Sequence, residues 1–280
     1  MKILVTGVTG QLGYDVVKEL TKRHVECVGV GRKEFDITDA TATRTFIVGY
    51  RPDVVIHCSA YTAVDRAEDE PTLCHAVNVN GTENIAKVCK EIDAKMIYIS
   101  TDYVFPGTGD KFYEVDDTTC PTNVYGKTKL LGEKAVQDTL KKYFIVRISW
   151  VFGKNGKNFI KTMLSLGREK QELTVVADQI GSPTYTADLA PFLCDLAETD
   201  KYGIYHATNE GVCSWAEFAV EIMSQAGLHC VIKPISSSAY PTKATRPLNS
   251  RMSKEKLVQN GFHKLPVWQD ALNRYLKEIQ

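Results

Sequence analysis

Tyr125 and Lys129 stand four residues apart in Asn123-Val124-Tyr125-Gly126-Lys127-Thr128-Lys129. On a helix they project from one face, a turn from each other. A free phenol titrates near ~10 and is a weak acid at neutral pH. An ammonium beside it favours the phenolate and pulls that value toward the working range. Thr101 ends the apolar run Lys95-Met96-Ile97-Tyr98-Ile99-Ser100 and offers a hydroxyl to a carbonyl held against the tyrosine. Thr101, Tyr125 and Lys129 are therefore the candidate catalytic residues of a device that moves a proton onto a carbonyl oxygen. The spacing alone is unspecific, since tyrosines and lysines often do no more than cover a helix surface.

The start of the chain makes it specific. Lys2 to Thr6 reads as a short buried strand, followed by Gly7-Val8-Thr9-Gly10-Gln11-Leu12-Gly13 and a helical pattern through Leu20. Strand, glycine turn and helix start are what a dinucleotide pyrophosphate needs, because glycine lets the backbone approach and free N–H groups face the anion. The glycines are spaced three and three, not two and three as in the commonest dehydrogenase fingerprint. Gly7, Gly10, Gln11, Leu12 and Gly13 are the candidate contacts. The second strand, Val25 to Val30, ends in Gly31-Arg32-Lys33, with glycine where NAD enzymes usually carry an acid. Arg32 can clamp a 2′-phosphate, so NADPH is expected to be favoured, with NADH also accepted.

These marks resemble the extended short-chain dehydrogenase/reductase family. Within it, Ser59 to Asp65, Ser100 to Phe105, Asn123 to Lys129, Asp178 to Thr184 and Arg246 to Ser250 resemble the dTDP-4-dehydrorhamnose reductases over nearly the whole length. The resemblance implies reduction of the C4 carbonyl of a dTDP-linked deoxysugar. It implies that Asp36 and Ile37 flank the adenine, while Ala60, Tyr61 and Thr62 line the pyrophosphate and nicotinamide side. It places Asp102 on a sugar hydroxyl, Trp150 as a wall for sugar or nicotinamide, and Arg246 on the substrate diphosphate. Plainer readings are a turn aspartate, a core tryptophan and a solvated arginine. Two other functions are weighed against the reductase. A dehydratase of the superfamily carries Asp-Glu after the threonine, whereas Thr101-Asp102 is followed here by Tyr103. A cofactor-binding regulatory subunit, as in methionine adenosyltransferase, has no need of Thr101, Tyr125 and Lys129.

Strands at 25–30, 53–58, 95–100 and 144–149 alternate with helical stretches at 11–23, 39–50, 71–93 and 126–142. That rhythm predicts an α/β fold, a doubly wound parallel sheet of Rossmann-like type, with ligands beyond the strand C-termini. The expected division is 1–150, an NAD(P)-binding domain, and 151–280, mainly a smaller α/β substrate-binding domain with segments interleaved with the first. Later helices are expected at 158–170, 186–199, 215–226 and 267–279, with Ser214 and Glu217 as a capping box. Lys plus Arg and Asp plus Glu both number 34, so no basic excess points to nucleic acid. The first residues show no charged lead, apolar h-region or cleavage site, so no leader is expected; no apolar run reaches the ~18 residues of a membrane span, and the eight cysteines form no Cys-x-x-Cys pair. A cytoplasmic protein with reduced thiols follows. Dimeric relatives hold Mg²⁺ between subunits with carboxylates, for which Asp15 is one match, but no partner is evident. The expectation is therefore no structural metal, and a monomer or weak homodimer.

Overall fold

Strands that are apolar on both faces must be covered on both, and the alternation of their residues decides which cover each one meets. The computed structural model describes residues 1–280. Its first half runs β1 (Lys2–Thr6), α1 (Gln11–Lys22), β2 (Glu26–Val30), α2 (Ala40–Tyr50), β3 (Val54–His57), α3 (Val64–Ala67), α4 (Pro71–His75), α5 (Gly81–Glu91), β4 (Lys95–Thr101), α6 (Val124–Thr139) and β5 (Tyr143–Ile148). The second half adds β6 (Val151–Phe152), α7 (Phe159–Glu169), β7 (Glu172–Val176), β8 (Ile180–Gly181), β9 (Thr184–Tyr185), α8 (Thr186–Ala197) and β10 (Gly203–His206). It closes with β11 (Asn209–Glu210), β12 (Cys213–Ser214), α9 (Trp215–Ala226), β13 (Val231–Ile235), α10 (Glu255–Gln259), β14 (Leu265–Val267) and α11 (Trp268–Ile279).

Six strands form one all-parallel sheet in the order β10-β5-β4-β3-β1-β2, the doubly wound architecture expected from the sequence. Ile3, Val5, Val54, Ile56, Ile97 and Ile99 point into a core shared with α1 and α8. Their neighbours Leu4, Val55, Met96 and Tyr98 point the other way, into a core with Ile47 of α2, Ile85 of α5 and Val136 of α6. A one-residue slip in register would exchange the two faces, and each large side chain buried here contributes about 1.5–3 kcal/mol. The chain leaves β1 for β2 on one side and returns to β3 on the other. The sheet therefore opens a crevice beyond the ends of β1 and β3.

The second half is not a separate layer. β10 pairs with β5 as the sixth strand, and Leu189, Phe192 and Leu193 of α8 share the core with α1. A further core, with Phe152, Met163, Leu164, Phe218, Ile222, Leu272 and Tyr275, joins α7, α9 and α11. The expected capping box opens α9: Ser214 Oγ accepts from Glu217 N at 3.1 Å, and Glu217 Oε2 accepts from Ser214 N at 2.6 Å.

One predicted helix differs. The stretch 71–93 forms α4 and α5 joined by a π-helical turn, Ala76–Asn80. The wider turn aims the buried Asn78 at the loop after β3. Its Oδ1 accepts from Tyr61 N at 2.8 Å, and its Nδ2 donates to Tyr61 O at 3.2 Å and Thr128 Oγ1 at 3.1 Å. Such a turn carries no signature in apolar periodicity, because it shifts the phase by a single residue.

Candidate active site

A cleft of ≈ 790 Å³ runs along the C-terminal ends of the sheet, from Arg32 past β2 to Trp150 past β5. Every candidate residue but Arg246 lines it. At its floor Gly7 has φ +73°, and a Cβ there would lie 2.7 Å from Ser59 N. A Cβ on Gly13 would lie 2.5 Å from Gly7 O, so the first turn of α1 closes tightly on the loop. Helix α1 starts after Gly10 with no side-chain cap and no acidic residue in its first turn, leaving N–H groups and the positive dipole end for an anion. Glycine loop, bare helix start and cleft length fit a dinucleotide. Gln11 lines the cleft, but its Oε1 is engaged by Gly153 N at 2.9 Å and Asn158 Nδ2 at 3.0 Å. Its side chain thus ties the loop after β6 over the glycines.

Thr101 sits where β4 ends, while Tyr125 and Lys129 lie in the first turns of α6. That helix is begun by Asn123 Oδ1, which accepts from Gly126 N at 2.8 Å, and by Glu68 Oε1, which accepts from Val124 N at 2.8 Å. The three candidates thus meet in one place, but the predicted pairing of ammonium with phenol needs correction. Lys129 Nζ donates to Ile99 O at 2.7 Å and lies 4.0 Å from the centre of the Tyr98 ring. Burial pulls its pKa down to about 7, against the opposing pull of Glu133. Burial among protein atoms raises the Tyr125 phenol well above its ordinary value, and the Thr101 hydroxyl acts the other way. Tyr125 nonetheless lines the cleft. One-turn spacing puts the two side chains on a common face without putting their ends together.

Behind them Glu133, two turns past Tyr125, forms a buried pair with Arg147 of β5, at 2.9 and 2.7 Å. Glu133 also accepts from Ser100 Oγ at 2.5 Å. The pair clamps α6 to the sheet directly beneath Thr101.

Asp102 is buried, and its two oxygens are both engaged. Oδ1 accepts from Thr101 Oγ1 at 2.9 Å and Oδ2 from Ser250 Oγ at 2.5 Å. Burial pushes its pKa up to about 6, with the Ser250 and Thr101 hydroxyls opposing. Trp150 adopts the left-handed region, φ +49°, and stacks on Trp215 with ring centres 3.7 Å apart and planes 13° apart. Trp150 lines the cleft, and Trp215 backs it from outside the lining. Arg246 departs from its expected placement on a diphosphate. Its Nη2 donates to Asp65 at 2.5 Å and its Nη1 to the Tyr103 hydroxyl at 3.2 Å, outside the cleft lining. Trp215, Asn78 and Glu133 carried no sequence signal, because each meets its partner only through the fold; Ser250 lay in a block that carries the resemblance, but its bond to Asp102 was not foreseen. No cluster of three or more His, Cys, Asp or Glu side chains able to hold a metal is present. Asp15 is buried in α1 and accepts from the Thr186 hydroxyl.

A switch-point cleft with a glycine cradle, a threonine at a strand end and Tyr-x-x-x-Lys on the facing helix define a dinucleotide-dependent oxidoreductase. The family described as "RmlD substrate binding domain" matches residues 1–280, and the chain belongs to it. The spore coat polysaccharide biosynthesis protein SpsK of Bacillus subtilis (strain 168) is 41% identical over 277 residues, 99% of this chain and 97% of its own. The dTDP-4-dehydrorhamnose reductase of Salmonella typhimurium is 40% identical over 293 residues, covering 100% and 98%. The crystal structure of dTDP-4-dehydrorhamnose reductase from Bacillus anthracis in complex with NADP matches with a TM-score of 0.97. It is 42% identical and is covered over 99% of each chain.

Proposed function

We propose that this protein reduces dTDP-4-dehydro-β-L-rhamnose to dTDP-β-L-rhamnose, the last step of dTDP-rhamnose biosynthesis, with NADPH as reductant. The observation that carries the reading is the meeting of Thr101, Tyr125 and Lys129 at one end of the dinucleotide cleft. Bound NADPH supplies the hydride for C4 of the sugar. Tyr125 gives its proton to the oxygen left at C4. Even with its pKa raised by burial, a phenol is a stronger acid than a secondary alcohol, so this transfer runs downhill. Thr101 orients the carbonyl or the phenol, and Lys129, drawn from Ile99 O, holds the nicotinamide ribose.

Asp102 and Trp150 are proposed to face the sugar, with Asp102 also fixing the direction of the Thr101 hydroxyl. Arg246 reaches a diphosphate only by leaving Asp65. Residues 1–150 mainly hold the cofactor and 151–280 mainly the sugar nucleotide. We further place the protein in the cytoplasm, as a monomer or weak homodimer; no helix is long and apolar enough to cross a membrane. The test is NADPH oxidation in the presence of substrate made by the upstream dehydratase and epimerase. Turnover of dTDP-glucose without added nicotinamide would favour a dehydratase instead.

A further inference from the structure

The turn after β2 decides how the adenosine ribose can be met. Gly31, Arg32 and Asp36 line the cleft there, yet two carboxylates already sit on the donors. Glu34 folds back across the turn, and its Oε2 accepts a 2.6 Å hydrogen bond from Gly31 N. Asp36 Oδ2 accepts from Arg32 Nε at 3.2 Å and lies 3.0 Å from its Nη2. Asp36 also has a turn to hold. Its Oδ1 accepts from Thr38 N at 3.0 Å and Thr38 Oγ1 at 2.8 Å, and the Thr38 amide keeps it below the usual carboxylate range. The Glu34 carboxylate has Gly31 N as its one partner. The acid absent at position 31 of the sequence is thus returned to the end of β2 from three residues further on.

We propose that Glu34 is a specificity-determining residue for the adenosine half of the cofactor. It accepts the ribose 2′-hydroxyl of NADH, and it must leave Gly31 before a 2′-phosphate can settle there. A neutral hydroxyl can donate to a carboxylate. A phosphate carrying about −1.5 to −2 charge is repelled by the carboxylate and competes with it for the amide. The Arg32–Asp36 pair is no comparable obstacle, because its guanidinium is 85% exposed and such i,i+4 pairs are weak. The charges around Glu34 are Arg32, Lys33 and Asp36; Asp36 is the acid paired with Arg32, while Glu34 is the acid that sits on the Gly31 amide. Glu34 therefore limits the preference for NADPH that Arg32 creates and keeps NADH usable.

The inference rests on the nicotinamide-dependent reading above, and binding without sugar tests the two separately. Dissociation constants for NADPH and NADH are measured by nicotinamide fluorescence on the wild type, Glu34→Gln and Glu34→Ala. Glutamine keeps an oxygen for Gly31 N and removes only the charge. The expected result is a rise of about tenfold in the NADPH-to-NADH affinity ratio in Glu34→Gln, mainly through tighter NADPH. Glu34→Ala should raise the ratio at least as far, with weaker NADH. An unchanged ratio in both variants, or an equal loss for both cofactors as expected of a merely turn-shaping residue, would overturn the proposal. A wild type that bound neither cofactor would instead overturn the reading it rests on.

Discussion

Lys129 carries the pH behaviour of the site at the scale of the single residue. Burial sets its pKa at about 7 in the free protein, so much of it is neutral under working conditions. Holding ribose hydroxyls favours the ammonium, and cofactor binding should then take up a proton. With NADH, which has no titrating 2′-phosphate, affinity should be flat below pH 7. It should fall above pH 7 by up to about tenfold per unit, until the bound lysine itself titrates. Calorimetry in buffers of different ionisation enthalpy reads this proton directly, and Lys129→Met should abolish it. Tyr125 has a separate signature. Tyr125→Phe should lower kcat by about 10²–10⁴-fold while leaving NADPH affinity within a few-fold, since only the proton is lost. A variant with near-normal turnover would remove Tyr125 from the acid role.

At the scale of elements, the glycine turn shows how backbone geometry serves the cleft. Gly7→Ala would place a methyl group 2.7 Å from Ser59 N in a left-handed backbone. The strain alone costs about 1–3 kcal/mol. A lowered melting temperature together with loss of NADPH binding is expected. Unaltered binding would mean that the loop can open without cost. This turn, α1 and the strands β1 to β5 were legible in the sequence because their signals are local: glycine spacing, a 3.6-residue period, and short apolar runs. So was the face shared by Tyr125 and Lys129. The directions of side-chain ends were not. Spacing could not tell that Lys129 reaches Ile99 O instead of the phenol, nor that Arg246 is held by Asp65, 181 positions away in the chain. The π-helical turn at Ala76–Asn80 was hidden for a related reason, as it is stabilised by Asn78 contacts with Tyr61 and Thr128.

The whole molecule is stitched across its two halves. β5 would be an open edge without β10, and α1 would expose Val16 and Leu20 without α8. Lys243 pairs with Asp69, and Arg246 with Asp65, fastening the segment before Ser250 to α3 and the turn that follows it. Residues 1–150 expressed alone should therefore give no cooperative melt, despite containing the complete glycine loop and all three catalytic candidates. Adding 151–280 as a separate chain should restore one if the two halves recognise each other. A sharp melt of 1–150 by itself would show that the sheet closes without β10.

The stacked pair Trp150–Trp215 puts a natural chromophore beside the cleft, with Trp150 in its lining. Two indoles 3.7 Å apart and nearly parallel couple their excited states, while the third tryptophan, Trp268, is 5% exposed in the neighbouring core. Near-ultraviolet circular dichroism should carry a paired signal from the two indoles, which a sugar nucleotide lying on Trp150 would perturb. Occupancy of the sugar half of the cleft could then be followed optically, without a label and without turnover.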